Sequence, residues 1–435
     1  MNTILLSGGS GKRLWPLSNE IRSKQFLKLF KMSDGNYESM LQRVYRQIKK
    51  MDPTGSVTIA TSKKQVSAIY NQLGEAVEIS VEPYRRDTFP AIALATAYLH
   101  DIMGVPSHEA VVVCPVDPYV EENYFDVIKE LYEQAQIGTS NLVLMGIEPT
   151  YPSEKYGYII PYNKEKLSDV AGFKEKPGTP LAKEYIKQGA LWNGGVFAYK
   201  LEYVLNIAKN VFGNSDYLTL YENYELLPKI SFDYAVVEKE KNIKVVKYSG
   251  EWTDLGSWNT LTEAMSENII GEGVLDDACE NVHIINELDV PILAMGVKDV
   301  VISASPDGIL VSDKDQSGYL KKYAETIAGD VKFAEKSWGC FKVINAEKDS
   351  LTIKVTIKAG DGMNYHSHEH RDEVWVVTSG EGLAIVDGME IPVKAGDVIT
   401  MTAGCRHTIN AIKDLTIIEV QLGTEINVQD KKKYE

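Results

Sequence analysis

Two stretches of the chain concentrate residues that can do chemistry. The first is Ser7-Gly8-Gly9-Ser10-Gly11-Lys12-Arg13, a glycine turn that follows a short apolar strand. Glycine has no Cβ to hold a ligand away, so backbone N–H groups in such a turn can close on phosphate oxygens. The spacing is not that of a P-loop, because Gly11-Lys12 runs into Arg13 and not into Ser or Thr. A dinucleotide fingerprint would need Gly at position 14, where Leu14 stands. Taken alone, the turn fits a tight strand-to-helix connection as well as a phosphate loop. Arg13 and Lys24 add two cations suited to a polyphosphate.

The second stretch is a histidine cluster. Four of the seven His fall between 366 and 407. His368-x-His370 would set two imidazoles on one face of a strand, since side chains alternate with period two. Glu373 follows, His407 returns after two strands, and His366 reads as a surface residue. Three His and one carboxylate make a donor set for Zn²⁺ or another divalent transition metal.

The elements that must carry these groups differ between the two ends. Thr3–Leu6, Val57–Ala60, Val111–Cys114 and Leu142–Met145 read as buried strands, separated by helical patterns near 40–48 and 122–136. The alternation predicts an α/β fold, a doubly wound, Rossmann-like, mostly parallel sheet. From 270 to 325 short β-like runs are broken by Asp, Gly and Pro. Beyond 335 the pattern is all-β, with Leu351, Ile353, Val355 and Ile357 alternating with polar residues. Recurrent Gly turns there suggest a small barrel or jelly roll. The expected division is 1–265, a small β-rich linking segment 266–332, and 333–435.

Composition sets the outer limits. The chain is 44% hydrophobic and 25% charged over 435 residues, enough for sizeable cores and a prior of two to three domains. Acidic residues outnumber basic ones 61 to 46, for −15 with His neutral, which argues against nucleic acid or an anionic membrane as partner. No apolar run reaches the ~18 residues of a membrane span. Cys114, Cys279, Cys340 and Cys405 show no CxxC pairing, as expected of a reduced, cytoplasmic protein.

The glycine turn also carries a specific resemblance. Leu6 to Ser18, then Lys24-Gln25-Phe26-Leu27, resembles the opening of mannose-1-phosphate guanylyltransferases, within the sugar-phosphate nucleotidyltransferase family. Glu82-Pro83-Tyr84-Arg85-Arg86-Asp87, Val113 to Asp117, Gly157-Tyr158-Ile159, Phe173 to Pro177, Trp192 to Phe197, Phe232 to Ala235 and Trp252 to Trp258 are similar to further motifs of that family. The resemblance implies nucleotidyl transfer from GTP to mannose 1-phosphate, giving GDP-mannose and pyrophosphate, with Arg13, Lys24, Asp117 and Asp254 catalytic. Gly8, Gly9, Ser10, Gly11, Lys12, Glu82, Arg86 and Asp87 would bind the nucleotide; Gly157, Tyr158, Glu175, Lys176, Asn193 and Asp233 would bind the sugar phosphate. Asp117 and Asp254 would hold Mg²⁺. Lys12, Ser23 and Pro118 depart from the family pattern, which leaves open another nucleotide such as CTP or another sugar 1-phosphate; a non-catalytic sugar-nucleotide sensor is the third reading, disfavoured because Arg13, Lys24, Asp117 and Asp254 are all present.

The C-terminal stretch resembles cupins, reading Gly362-x5-His368-x-His370-x2-Glu373-x6-Gly380 and Gly396-x7-Gly404-x2-His407. Within them, His370 to Gly380 is similar to the isomerase half of bifunctional mannose-1-phosphate guanylyltransferase/mannose-6-phosphate isomerases. That implies a metal held by His368, His370, Glu373 and His407, with Arg371 holding a phosphate or an enediolate, and a homodimer by analogy.

Overall fold

The computed structural model describes residues 1–9, 12–327, 329–427 and 430–434, in two compact units. One takes 1–9, 25–66 and 76–256; the other takes 10–24, 67–75 and 257–435. The division therefore does not run in chain order as the expected boundaries do.

In the first unit a nine-stranded sheet has the order Glu78–Glu82, Ser56–Ser62, Asn2–Leu6, Ala110–Pro115, Leu191–Lys200, Leu142–Ile147, Ile243–Tyr248, Leu167–Lys174, Tyr158–Pro161. The first four strands are mutually parallel. Their all-apolar stretches follow from burial on both faces, and Val111, Val112 and Val113 have no exposed surface. Leu191–Lys200 runs antiparallel to both of its neighbours, an insertion that the alternating pattern does not announce. Helix Thr88–Asp101 is apolar on nearly all sides and buried along most of its length, and the Asp87 carboxylate caps its first turn. Strand Asn2–Leu6 is flanked by Ser56–Ser62 on one side and by Ala110–Pro115 on the other, with Leu6 opposite Pro115. This is a topological switch point, and the crevice at the C-terminal ends of those two strands is where such sheets take ligands. Gly8–Gly9 and Asp117 lie just beyond these two ends.

In the second unit Ile269–Ile270, His283–Asn286 and Val300–Ser305 pair in parallel, as do Gly273–Leu275 and Ile292–Ala294. Gly308–Asp313 closes this small coil in antiparallel fashion. Helix Leu320–Ile327 follows, within a stretch expected to be β-like. The coil also anchors the segment after the glycine turn. Arg22 forms a two-pronged ion pair with Glu287 at 2.8 and 2.9 Å, Asn19 donates to Asp307 at 2.8 Å, and Ser305 donates to the Pro16 carbonyl at 2.7 Å.

The C-terminal part of this unit is a two-sheet jelly roll. One sheet has the order Phe333–Lys336, Gly339–Ala346, Ser350–Ile357, Leu415–Gly423, Arg371–Ser379, Val398–Met401. The other has Met389–Lys394, Glu381–Val386, His407–Ala411, His366–Ser367, Lys432–Lys433. Between them Val355, Ile357, Trp375, Val377, Ala384, Ile399, Met401, Ile409, Leu415 and Ile417 form the core, the inward half of each alternating pattern.

Candidate active sites

In the first unit, two short strands meet beside the switch point. Trp252–Asp254 pairs antiparallel with Pro118–Val120, and Asp254 stands directly opposite Pro118. Residues 117 and 254, more than a hundred positions apart in the chain, thus become neighbours across one ladder. Both residues are half-buried. Two hard oxygen donors at the mouth of the crevice are what Mg²⁺ takes from protein, the remaining positions going to phosphate and water. The donor set therefore fits that ion.

The glycine turn borders the same crevice. A Cβ built on Gly8 meets nothing within 4 Å, so it is not internal packing that demands glycine there. The Gly9 carbonyl accepts from Arg85 Nη2 at 3.0 Å and from Gln65 Nε2 at 3.2 Å, which fixes the turn to its surroundings. Ser10, Gly11 and the Lys12 side chain lie outside the described residues. Arg13 is exposed in the 3-10 turn Lys12–Leu14, and Lys24 opens the turn Lys24–Phe26.

Three expected nucleotide ligands have internal partners instead. The Tyr224 hydroxyl donates to Glu82 at 2.8 Å, Arg86 donates to the carbonyls of Tyr224 and Glu225, and Asp87 caps its helix. Burial pushes the Glu82 carboxyl up to about 7, with the Tyr224 hydrogen bond opposing. These bonds brace the loop that carries the three residues.

Four of the expected sugar ligands do come together. Asn193 Nδ2 donates to Asp233 Oδ1 at 2.6 Å, and the Lys176 ammonium is paired with Glu175. A Cβ on Gly157 would lie 2.5 Å from Glu175 Oε2, so only glycine leaves room for that carboxylate. The Asn193 N–H donates to the Gly157 carbonyl at 2.8 Å. Lys176 holds a left-handed φ of 44°, the kind of strained backbone that tends to mark binding sites. Burial, with the Glu175 charge, raises the Asp233 carboxyl to about 6 against the pull of Lys176 and Asn193. Tyr158 is a correction: its ring is fully buried, and its hydroxyl is used by Ser153 and by Trp192 Nε1 at 3.1 Å.

Sequence reading missed the aromatic wall beside Asp254. Tyr156 lies 5.0 Å from Trp192 and 5.3 Å from Trp252, ring centre to ring centre. Burial, and then the Asp254 charge, push its phenol up, which places it close to that carboxylate. The crowding of Tyr151, Tyr156, Trp192 and Trp252 around the expected sugar motifs was the available signal.

In the jelly roll, His366, His368, Glu373 and His407 present ligand atoms all within 4.8 Å of one another, and all four residues are buried. Each imidazole turns Nδ1 to a backbone carbonyl: His366 to Asn364 at 2.6 Å, His368 to Asp430, and His407 to Cys405 at 3.1 Å. Nδ1–H donation leaves the Nε2 lone pairs facing inward, the tautomer a metal ligand needs. His407 Nε2 and Glu373 Oε2 face each other at 3.2 Å, and neither has a hydrogen-bond partner. Two electron-pair donors in that position fit a cation. Burial, with Lys431 adding, pulls His366 down to about 3 and keeps it neutral.

His370 and His366 exchange their expected places, His366 being buried and not at the surface. The His370 side chain is 52% exposed and its nearest acidic partner is Glu425, at 3.8 Å. The strand His366–Ser367 ends before His368, and the chain bends through Glu369 and His370 before strand Arg371–Ser379. The period-two argument holds, but for His366 and His368. Gly360-x5-His366 has the same spacing as Gly362-x5-His368, so the sequence offered two registers and the bend selects one. Arg371 Nε donates to Glu373 Oε1 at 3.0 Å, and its Nη2 lies 3.0 Å from His368 Nε2.

Comparison with known proteins gives matches to both parts of the chain. Residues 2–269 match the nucleotidyl transferase family model, and the chain belongs to that family. Residues 329–435 match the model of the mannose-6-phosphate isomerase C-terminal region. Among curated relatives, mannose-1-phosphate guanylyltransferase ManC of Salmonella typhimurium is 29% identical over 99% of this chain and 97% of its own. A mannose-1-phosphate guanylyltransferase of Escherichia coli is 28% identical over 98% of this chain and 97% of its own. A solved Thermus thermophilus protein, named mannose-1-phosphate geranyltransferase, superposes with a TM-score of 0.63 at 29% identity, covering 75% of this chain and 98% of that one. Among the described residues no helix is long and apolar enough to cross a membrane.

Proposed function

We propose that the chain makes GDP-mannose and pyrophosphate from GTP and mannose 1-phosphate. A phosphate oxygen of the sugar attacks the α-phosphorus in line, one P–O bond forms, and the bond to pyrophosphate breaks. Such transfer needs positioning and charge neutralisation more than covalent help. Asp117 and Asp254 would hold Mg²⁺, which when bound neutralises phosphate charge. Arg13 and Lys24 steady the triphosphate and the leaving pyrophosphate. Gly8 and Gly9 offer backbone to the phosphates. Glu175, Asn193 and Asp233 hold sugar hydroxyls, and Lys176 pairs with the sugar phosphate. The observation that carries this reading is the pairing of Asp254 with Pro118 at the switch point, in a chain whose full length matches proteins named for the reaction.

The cupin reading is a sugar-phosphate isomerase. His366, His368, Glu373 and His407 would hold Zn²⁺ or a similar ion, which when bound polarises a sugar carbonyl. Arg371 steadies the negative charge that develops on the sugar oxygens. A homodimer in the cytoplasm is the accompanying expectation. The test is pyrophosphate release from four nucleoside triphosphates against a panel of sugar 1-phosphates. GTP with mannose 1-phosphate should give the highest kcat/KM; no release with any pair would overturn the reading, and a better pair would replace the substrates.

A further inference from the structure

Each imidazole of the cupin cluster is turned by a backbone carbonyl, but the three carbonyls are not alike. Those of Asn364 and Cys405 stand two residues before His366 and His407, so they come with the same stretch of chain. The carbonyl that meets His368 Nδ1 belongs to Asp430, 62 residues further on. A ligand histidine takes its tautomer and ring direction from the partner of its other nitrogen. One of the three ligand imidazoles is therefore set by a segment that has to arrive from elsewhere.

That segment is fastened at several points around the ligands. The Asp430 N–H donates to Asn427 Oδ1 at 3.0 Å, and the Asp430 carboxylate accepts from the N–H groups of Glu369 at 2.9 Å and His370 at 3.2 Å. The Asn427 carbonyl accepts from Arg371 Nη1 at 3.1 Å, and Arg371 Nε donates to Glu373 at 3.0 Å. Lys432–Lys433 pairs with both residues of strand His366–Ser367, whereas His407–Ala411, on the other side, meets that strand at His366 alone. The Tyr434 N–H donates to the Tyr365 carbonyl at 2.9 Å, and its hydroxyl meets Ser367 Oγ at 2.9 Å. A strand of two residues makes too few ladder bonds to hold itself in place, and residues 430–434 supply one whole side of its pairing. The Gly404 N–H, donating to the His368 carbonyl at 2.6 Å, ties the His368 backbone; Asp430 sets the ring.

We propose that residues 430–434 are a latch on the cupin metal centre, with Asp430 as its positioning residue: closure turns His368 toward the metal, and by reciprocity metal binding favours closure. This rests on the metal-binding reading above and names the segment on which that site depends. Zn²⁺ affinity of the full chain is measured by competition with a chromophoric chelator, beside the melting temperature of the metal-free protein. Asp430→Ala keeps the carbonyl but releases it from the clamp on Glu369 and His370. It should weaken Zn²⁺ binding by about 10–100-fold, the scale of losing the partner behind a ligand, with the metal-free melting temperature unchanged. Asp430→Asn, which keeps an acceptor, should recover much of that affinity. Trypsin cuts after lysine, so cutting at Lys431, Lys432 and Lys433 reports opening of the latch. Saturating Zn²⁺ should slow that cutting in the parent chain, and less so in Asp430→Ala. Zn²⁺ affinity unchanged by Asp430→Ala overturns the proposal, as does parent-chain cutting that is indifferent to Zn²⁺. A fall in the metal-free melting temperature with no recovery of affinity in Asp430→Asn overturns it too, since that is structural support and not positioning. A parent chain that takes up no Zn²⁺ refutes the metal-binding reading itself, and the proposal falls with it.

Discussion

Asp254 sits directly across an antiparallel ladder from Pro118, the residue that follows Asp117. The two carboxylates are brought together by backbone pairing and not by side-chain reach, so exchanging either should spare the fold. Asp117→Asn and Asp254→Asn are each expected to lower kcat for pyrophosphate release by about 10²–10³-fold, the scale of losing one preorganised charge contact. His368→Ala should leave that rate intact. A large effect of His368→Ala on transfer would mean that the two sites do not divide the work.

The bend at Glu369–His370 separates two histidines that the sequence alone treats alike. His366→Ala should reduce zinc bound by the cupin, measured by elemental analysis of the purified chain, whereas His370→Ala should leave it unchanged. Removing the metal with a chelator should lower the melting temperature of the jelly-roll transition, since a ligand at a hundred times its Kd adds about 2.7 kcal/mol to the state that binds it.

Asp233 makes the sugar cluster sensitive to acid. Its folded carboxyl titrates at about 6 against an ordinary 3.8, so between those values the folded chain binds a proton that the unfolded chain does not. The contribution of this group to stability is therefore greatest below about pH 4 and falls as pH rises through 6. Functionally, KM for the sugar phosphate should show an inflection near pH 6 as the acceptor for Asn193 changes charge. Asp233→Asn should flatten that inflection; a profile that keeps it would assign the titration elsewhere.

Arg22 is almost wholly buried and depends on Glu287 for its charge partner. Glu287→Ala would strand a guanidinium that cannot neutralise, at a cost of about 3 kcal/mol. Denaturant unfolding followed at the second unit should show the loss, and Glu287→Gln, which keeps one acceptor, should lose less.

The legible parts of the molecule were those written in period and type. The all-apolar run Val111–Cys114 announces a doubly covered strand, and the alternation from Leu351 to Ile357 announces a half-buried one. Leu191–Lys200 contains a similar apolar run, but nothing in it states a direction, and its antiparallel insertion is set by partners far away in the chain. The same holds for the site. Asp117 and Asp254 stand out by motif, but only the ladder puts residue 254 opposite residue 118. The exchange of His370 for His366 depended on one backbone bend, and the internal roles of Glu82, Arg86 and Tyr158 depended on which neighbours folding brings to them. Periodicity reports which face a residue takes; it does not report which loop will arrive opposite.

The anchoring of residues 15–22 on the small coil means that the chain is not two machines joined by a tether. Arg13 and Lys24 flank a stretch whose grip comes from Glu287, Ser305 and Asp307, well beyond the last transferase motif. A clone stopped at residue 265 would keep every residue proposed for transfer, yet the stretch between Arg13 and Lys24 would have lost its footing. A division of the chain is better made after the coil, keeping residues up to about 313 with the amino-terminal half.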